Sequence, residues 1–302
     1  MLTYNNYLTI MRTTSFQKFS LLTLAAILSL TAFAQVAPAV YDYPKPDVVF
    51  YLWPDGAPTD NGLTGPENVM EGGRIGNISD PELLVFPAAE PNGLAVIMCP
   101  GGGYAYVAAK HEGTDMADWF NGQGITFAVL KYRMPNGHAD VPLTDAQQAV
   151  SLMRARADEW GFTKLGIMGG SAGGHLAATA SVHFTAKTRP DFQILLYPLI
   201  TFEGRVTPGG RNMLFDMYPD DDEVYYYCCE EFVAPNCPPA FVVHCQDDPS
   251  VPVSDSEIYV KRLQENGVDV KYIVYPDGGH GWGFKDSFPH KQEWTSALEE
   301  WL

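Results

Sequence analysis

The stretch Gly169-Gly170-Ser171-Ala172-Gly173-Gly174 sets one serine hydroxyl among small residues. The apolar run at 165–168 precedes it and reads as a buried strand, and His175-Leu176-Ala177-Ala178 after it opens an Ala-rich helix. A serine in G-x-S-x-G at a sharp strand-to-helix turn stands out of the sheet, beside a helix N-terminus whose partial positive charge favours a developing oxyanion. The flanking glycines let the backbone pass close to both elements. Such a serine suits attack on an acyl carbon.

A serine nucleophile needs a base and a carboxylate to orient that base. Downstream of Ser171 the histidines are His175, His183, His244, His280 and His290. His175 and His183 lie along the helix after the serine, and His244 lies inside an apolar run. His280 sits in Pro276-Asp277-Gly278-Gly279-His280-Gly281-Trp282-Gly283, a loop whose glycines free it to lay an imidazole over a sheet edge. His280 is therefore the expected base. The orienting acid should follow the preceding strand, where Gln246-Asp247-Asp248-Pro249 offers two adjacent aspartates. Asp247 is nearer the strand and suited to capping its turn, so Asp248 is the expected partner of His280. Asp277 is too close in sequence to His280 to orient it.

Pro100-Gly101-Gly102-Gly103-Tyr104 follows another apolar run. At that strand-to-loop position, glycines can turn their amides inward, so the N–H groups of Gly102, Gly103 and Ala172 are the expected oxyanion donors. Tyr104 and Trp282, beside these loops, are the expected substrate contacts. There is no G-x-G-x-x-G, which leaves a dinucleotide loop unsupported. Neither a metal nor an organic cofactor is expected, and no His lies at zinc-ligand spacing from the cysteine cluster.

These residues need a scaffold. Near-continuous apolar runs at 94–99, 125–132, 165–168, 192–196, 240–245 and 270–275 read as strands covered on both faces. Between them, amphipathic stretches at 114–121, 145–160, 172–184, 254–266 and 292–302 read as helices, the second with Thr144 and Gln147 in capping-box spacing. This alternation predicts one α/β domain over 35–302, with a mostly parallel central sheet flanked by helices. Residues 201–239 break the rhythm with an acidic run, Asp220-Asp221-Asp222-Glu223, and Tyr225-Tyr226-Tyr227. They read as a surface insertion or as a lid or rim over a site.

With 302 residues, 46% hydrophobic and 18% charged, the chain is ordinary globular material. A net charge of −17 without basic runs argues against nucleic acid or an anionic membrane as partner. Residues 1–34 read as a signal peptide: Arg12 and Lys18, then Leu21-Leu22-Thr23-Leu24-Ala25-Ala26-Ile27-Leu28-Ser29-Leu30, then Ala32-Phe33-Ala34. The apolar run is shorter than the roughly 20 residues that span a bilayer, so the expected destination is periplasmic or secreted. In an oxidising compartment, Cys228, Cys229 and Cys237 are close enough in sequence for one disulfide.

Taken together, the motifs resemble the α/β-hydrolase superfamily. More closely, the chain resembles exported acetyl xylan esterase-like carbohydrate esterases, including those described as xylan deacetylase or endo-1,4-beta-xylanase B-like. The matching stretches begin at Trp53-Pro54-Asp55-Gly56-Ala57-Pro58, Cys99-Pro100-Gly101-Gly102-Gly103-Tyr104 and Val129-Leu130-Lys131-Tyr132-Arg133. They continue through the serine motif, Pro238-Pro239-Ala240-Phe241, Asp247-Asp248-Pro249-Ser250-Val251-Pro252 and Gly278-Gly279-His280-Gly281-Trp282-Gly283. In such enzymes the second aspartate of this D-D-x-x-V-P stretch is the acid of the triad, in agreement with Asp248. The resemblance implies a serine esterase releasing short acyl groups, acetyl above all, from xylan or xylo-oligosaccharides, so an acylated plant polysaccharide is the implied partner. Feruloyl esters or general carboxylic esters are the alternatives within that chemistry. A serine peptidase is disfavoured because the chain lacks room for the large extra domain such enzymes carry. A non-catalytic carbohydrate-binding module is disfavoured by the complete Ser, Asp, His set.

Overall fold

The computed structural model describes residues 43–205 and 213–302. The expected signal peptide and part of the 201–239 insertion lie outside them.

The central sheet has eight strands in the order β1-β4-β7-β5-β8-β9-β10-β11. They are β1 (Val48–Tyr51), β4 (Glu82–Phe86), β5 (Gly93–Cys99), β7 (Thr126–Lys131), β8 (Phe162–Gly170), β9 (Phe192–Leu196), β10 (Ala240–Cys245) and β11 (Val270–Tyr275). β7, β5, β8, β9, β10 and β11 are all parallel neighbours. β4 runs antiparallel to β7 and β1 antiparallel to β4. β7, β9 and β10 are buried along their whole length. That is why they read as apolar runs without alternation.

The helices are α1 (Ala117–Gly122), α2 (Asp140–Arg154), α3 (Ser171–Val182), α4 (Asp221–Tyr226), α5 (Ser254–Glu265) and α6 (Lys291–Trp301). They cover both faces and divide the interior into two apolar clusters. One holds Leu143, Val150, Leu176 and Leu263, and the other Phe120, Phe127, Trp294 and Leu298. Among the described residues no helix is long and apolar enough to cross a membrane.

Two sequence expectations need correction. The helix expected at 145–160 starts at Asp140 and ends at Arg154. Pro142 fits its first turn, where a missing N–H costs nothing. Thr144 does not cap it, because its hydroxyl donates back to the Asp140 carbonyl at 2.7 Å. In addition, strands precede the first expected one: β1, β4 and the short β2 (Asn68–Met70) and β3 (Arg74–Gly76). β2, β3 and β6 (Tyr106–Ala108) form a separate antiparallel sheet. Strands of three residues are too short to show a period.

Asp145 is fully buried and organises the amino-terminal layer. Its carboxylate accepts from the backbone N–H of Arg133 at 3.0 Å, from the Arg133 guanidinium at 2.7 Å and from Trp53 Nε1 at 2.7 Å. Arg133 in turn donates to the Thr59 carbonyl at 2.6 Å. One carboxylate thus ties α2, the end of β7 and the entry segment together. Removing its charge leaves Arg133 buried and uncompensated. Asp145→Asn should cost about 3 kcal/mol, seen as a lower urea midpoint at unchanged slope. An unaltered midpoint would show that the pair carries no weight in folding.

Candidate active site

β8 ends at Gly170 and α3 begins at Ser171, whose φ of +55° is costly for a residue with a side chain. The turn can be this tight because its neighbours lack side chains. A Cβ on Gly169 would fall 2.0 Å from the Gly173 carbonyl oxygen, and one on Gly173 would fall 2.0 Å from the Cys99 carbonyl oxygen. The first turn of α3 therefore rests directly on the end of β5, with the serine held above it.

The loops after β10 and β11 bring two more groups to that serine. Ser171 Oγ lies 2.8 Å from His280 Nε2, and His280 Nδ1 lies 2.6 Å from Asp248 Oδ2. The other Asp248 oxygen accepts the N–H groups of Ser250 at 2.8 Å and Val251 at 2.9 Å. Buried His244 stands 3.3 Å from Asp248 Oδ2 through its Nε2, which is 3.0 Å from the Val251 carbonyl. Both neighbours of that nitrogen only accept, so it carries the proton, and Nδ1 accepts from the Ser256 hydroxyl at 2.7 Å. Burial alone would raise the Asp248 pKa. The hydrogen bonds from His244, His280 and the two amides overcome it and hold this carboxyl below the usual range. An ionised Asp248 keeps the His280 proton on Nδ1, leaving Nε2 to accept from Ser171. Asp247 serves the loop instead: it accepts the N–H groups of Gly278 and Gly279 at 3.3 and 2.8 Å.

The glycine loop after β5 lies against this group. A Cβ on Gly101 would fall 3.0 Å from the Ser171 Cβ. Gly102 (φ +137°), Gly103 (φ +60°) and Tyr104 (φ +59°) turn in succession through positive φ. At Gly102 any Cβ would strike the Tyr106 carbonyl oxygen at 2.0 Å, so only glycine fits. The loop thus comes up to the serine turn at Gly101, and Ala172 follows Ser171 as the second residue of α3.

Tyr104 and Trp282 are not where the sequence reading put them. Each is only 3% exposed. The Tyr104 hydroxyl bonds His175 Nδ1 at 2.7 Å beneath α3, and Trp282 stacks on Phe288 with ring centres 4.1 Å apart. Being large and mostly apolar, both gain more from the interior than from the rim. Within the described part of 201–239, residues 227–229 are buried against α3, while Tyr225 and Tyr226 remain largely exposed. Glu230, Glu231, Val224, Tyr225 and Phe202 line a cleft of about 420 Å³ in this insertion. All five cysteines are free thiols, Cys228, Cys229 and Cys237 among them.

Three residues at the site had no sequence signal. His244 braces Asp248 as described. Tyr197, at φ +38°, places its ring 4.8 Å from the His280 ring. Glu112 is buried beneath the loops and accepts the Gly101 N–H at 2.8 Å.

A strand-borne serine, a loop histidine and an aspartate above a mostly parallel sheet define the class, and the alpha/beta hydrolase fold family matches residues 96–284; the chain belongs to that family. It is 34% identical over 236 residues to an acetylxylan esterase of Xylanibacter ruminicola, covering 75% of this chain and 49% of that protein. It is also 34% identical over 204 residues to endo-1,4-beta-xylanase B of Butyrivibrio fibrisolvens, covering 62% of this chain and 32% of that protein. The chain thus spans half or less of the length of these relatives. In structure it is similar to an acetyl ester-xyloside bifunctional hydrolase from Caldicellulosiruptor lactoaceticus, with a TM-score of 0.72 and 30% identity over 85% of this chain and 96% of that one.

His175, under the serine turn, offers a test by pH. Its Nε2 donates to the Tyr227 carbonyl at 2.8 Å, and burial pulls its pKa down to about 4. Between pH 6.5 and about 4 the unfolded chain takes up a proton that the folded chain refuses, so stability falls as pH falls through that window. The shift corresponds to roughly 3 kcal/mol. Urea unfolding at stepped pH should show this slope, and His175→Asn should reduce it without abolishing it, because His111 is lowered to about 4 in the same way. Equal slopes in the two proteins would remove His175 as the cause.

Proposed function

We propose that the chain is an exported serine carbohydrate esterase that removes short acyl groups, chiefly acetyl, from xylan or xylo-oligosaccharides. The observation that carries this reading is the hydrogen-bonded line from Asp248 through His280 to Ser171, at 2.6 and 2.8 Å, beside a glycine loop. The names of the relatives at 34% and 30% identity support the acetylated xyloside as substrate class. Export rests on the basic, apolar and small-residue pattern of residues 1–34.

In this mechanism Ser171 attacks the ester carbonyl while His280 Nε2 takes its proton. Asp248 holds the imidazole in the correct tautomer and stabilises the imidazolium. The amides of Gly102, Gly103 and Ala172 bind the oxyanion, and the strained serine turn needs no reorganisation to present them. His280 then protonates the departing sugar oxygen, giving a free hydroxyl and an acyl-Ser171. Water, deprotonated by the same histidine, attacks the acyl group and releases acetate.

A feruloyl ester is the second reading, since the same line of Asp248, His280 and Ser171 would act on an aromatic acyl ester.

The test is acetate and ferulate release from acetylated, feruloylated xylo-oligosaccharides, with Ser171→Ala as control. Acetate release lost in the variant, by on the order of 10⁶-fold in turnover, is the expected result. Ferulate alone would transfer the assignment to feruloyl esters. Neither product from either protein, with an aryl acetate still cleaved, would remove xylan as substrate. A Ser171→Ala protein at wild-type rate would end the serine mechanism.

A further inference from the structure

We propose that Glu112 is a positioning residue that locks the oxyanion loop to the histidine loop. The inference rests on the serine esterase reading and adds to it a group that touches neither substrate nor nucleophilic oxygen.

Glu112 is 4% exposed, and its carboxylate occupies space that three glycines leave open. A Cβ on Gly101 or on Gly170 would fall 2.6 Å from Glu112 Oε2, and one on Gly283 would fall 2.9 Å from Glu112 Cγ. Those positions belong to the oxyanion loop, the serine turn and the histidine loop. A side chain at Gly101 or Gly170 would displace the buried carboxylate, and one at Gly283 would meet the His111 carbonyl oxygen at 2.3 Å as well as Glu112.

Its bonds run the same way. Oε2 accepts the Gly101 N–H at 2.8 Å, next to the expected donors Gly102 and Gly103. The Tyr197 hydroxyl accepts the Gly283 N–H at 2.8 Å, which leaves its own proton for the Glu112 carboxylate it faces. The Tyr197 ring packs against His280. The neighbouring residue adds a third tie, since the Phe284 N–H donates to the His111 carbonyl at 2.7 Å. His111 itself is neutral at physiological pH, pulled down to about 4 by burial and by Lys285 and Arg74, so it offers Glu112 no ion pair. Burial raises the Glu112 pKa, and the Gly101 N–H, His280 and the Tyr197 hydroxyl pull against that rise; as a carboxylate it accepts from two donors at once, Gly101 and Tyr197. Glutamine keeps one of the two oxygens and puts an N–H in place of the other, so it offers these donors half the acceptor capacity of a carboxylate.

The expected effects are therefore graded. With a soluble aryl acetate as substrate, Glu112→Gln should lower kcat by about 10-fold and Glu112→Ala by about 100-fold, KM staying within about twofold, as for a displaced reacting group. Tyr197→Phe should resemble Glu112→Gln. The Glu112→Gln/Tyr197→Phe double variant should lose less than the product of the two, because both break one chain. The rate of Ser171 labelling by a fluorophosphonate should fall in parallel with kcat, with folding followed by circular dichroism. Should Glu112→Ala not fold, the other variants decide. Wild-type kcat in Glu112→Gln and Tyr197→Phe, losses confined to KM, or fully multiplicative losses would each overturn the proposal. Activity that survives Ser171→Ala would instead overturn the esterase reading on which it rests.

Discussion

The backbone of Gly173 lies so close to the Cys99 carbonyl that no side chain fits between them. Everything at the candidate site depends on that approach. It seats the first turn of α3 on the end of β5, which puts the serine turn beside the glycine loop and aims a helix N-terminus at the space between. Separating the two elements by the width of one methyl group would move the glycine loop away from Ser171. The positive φ of Ser171 follows from the same geometry, and the packing around the turn holds a conformation the serine would not otherwise keep.

A second constraint is that the polar groups near the serine are enclosed. An enclosed carboxylate is stable only where donors surround it. Asp248 meets this with two imidazoles and two amides, so its charge is kept close to His280. His244 also supplies rigidity: with Ser256 on one nitrogen and Asp248 and the Val251 carbonyl on the other, it cannot turn without breaking several bonds. Glu112 extends the same logic below the loops, and Asp145 applies it at the far edge of the sheet. In each case a buried acid joins segments that are distant in sequence. The covalent chain alone would not hold those segments in register.

The matched region, residues 96–284, begins within β5 and takes in the serine turn and the histidine loop. The insertion at 201–239 lies inside that region yet follows its own plan, with a short helix, exposed tyrosines and a cleft rich in carboxylates. Its buried residues 227–229 are built into the packing of α3, where the Tyr227 carbonyl holds His175.

Much of the sheet was legible because its inner strands are buried on both faces and its serine turn has a pattern of small residues. The runs at 192–196, 240–245 and 270–275 coincide with β9, β10 and β11, since apolar burial and turn chemistry are local properties of the chain. The placing of Ser171, His280 and Asp248 along the sequence was legible for the same reason. Their distances were not, because 109 residues separate His280 from Ser171 and only the assembled sheet brings them together. Nor could the sequence distinguish a rim aromatic from a buried one, so Tyr104 and Trp282 were read on composition and decided by packing. Glu112, Tyr197 and His244 had no motif to mark them. Each matters through its neighbours, and those neighbours exist only once the strands are side by side.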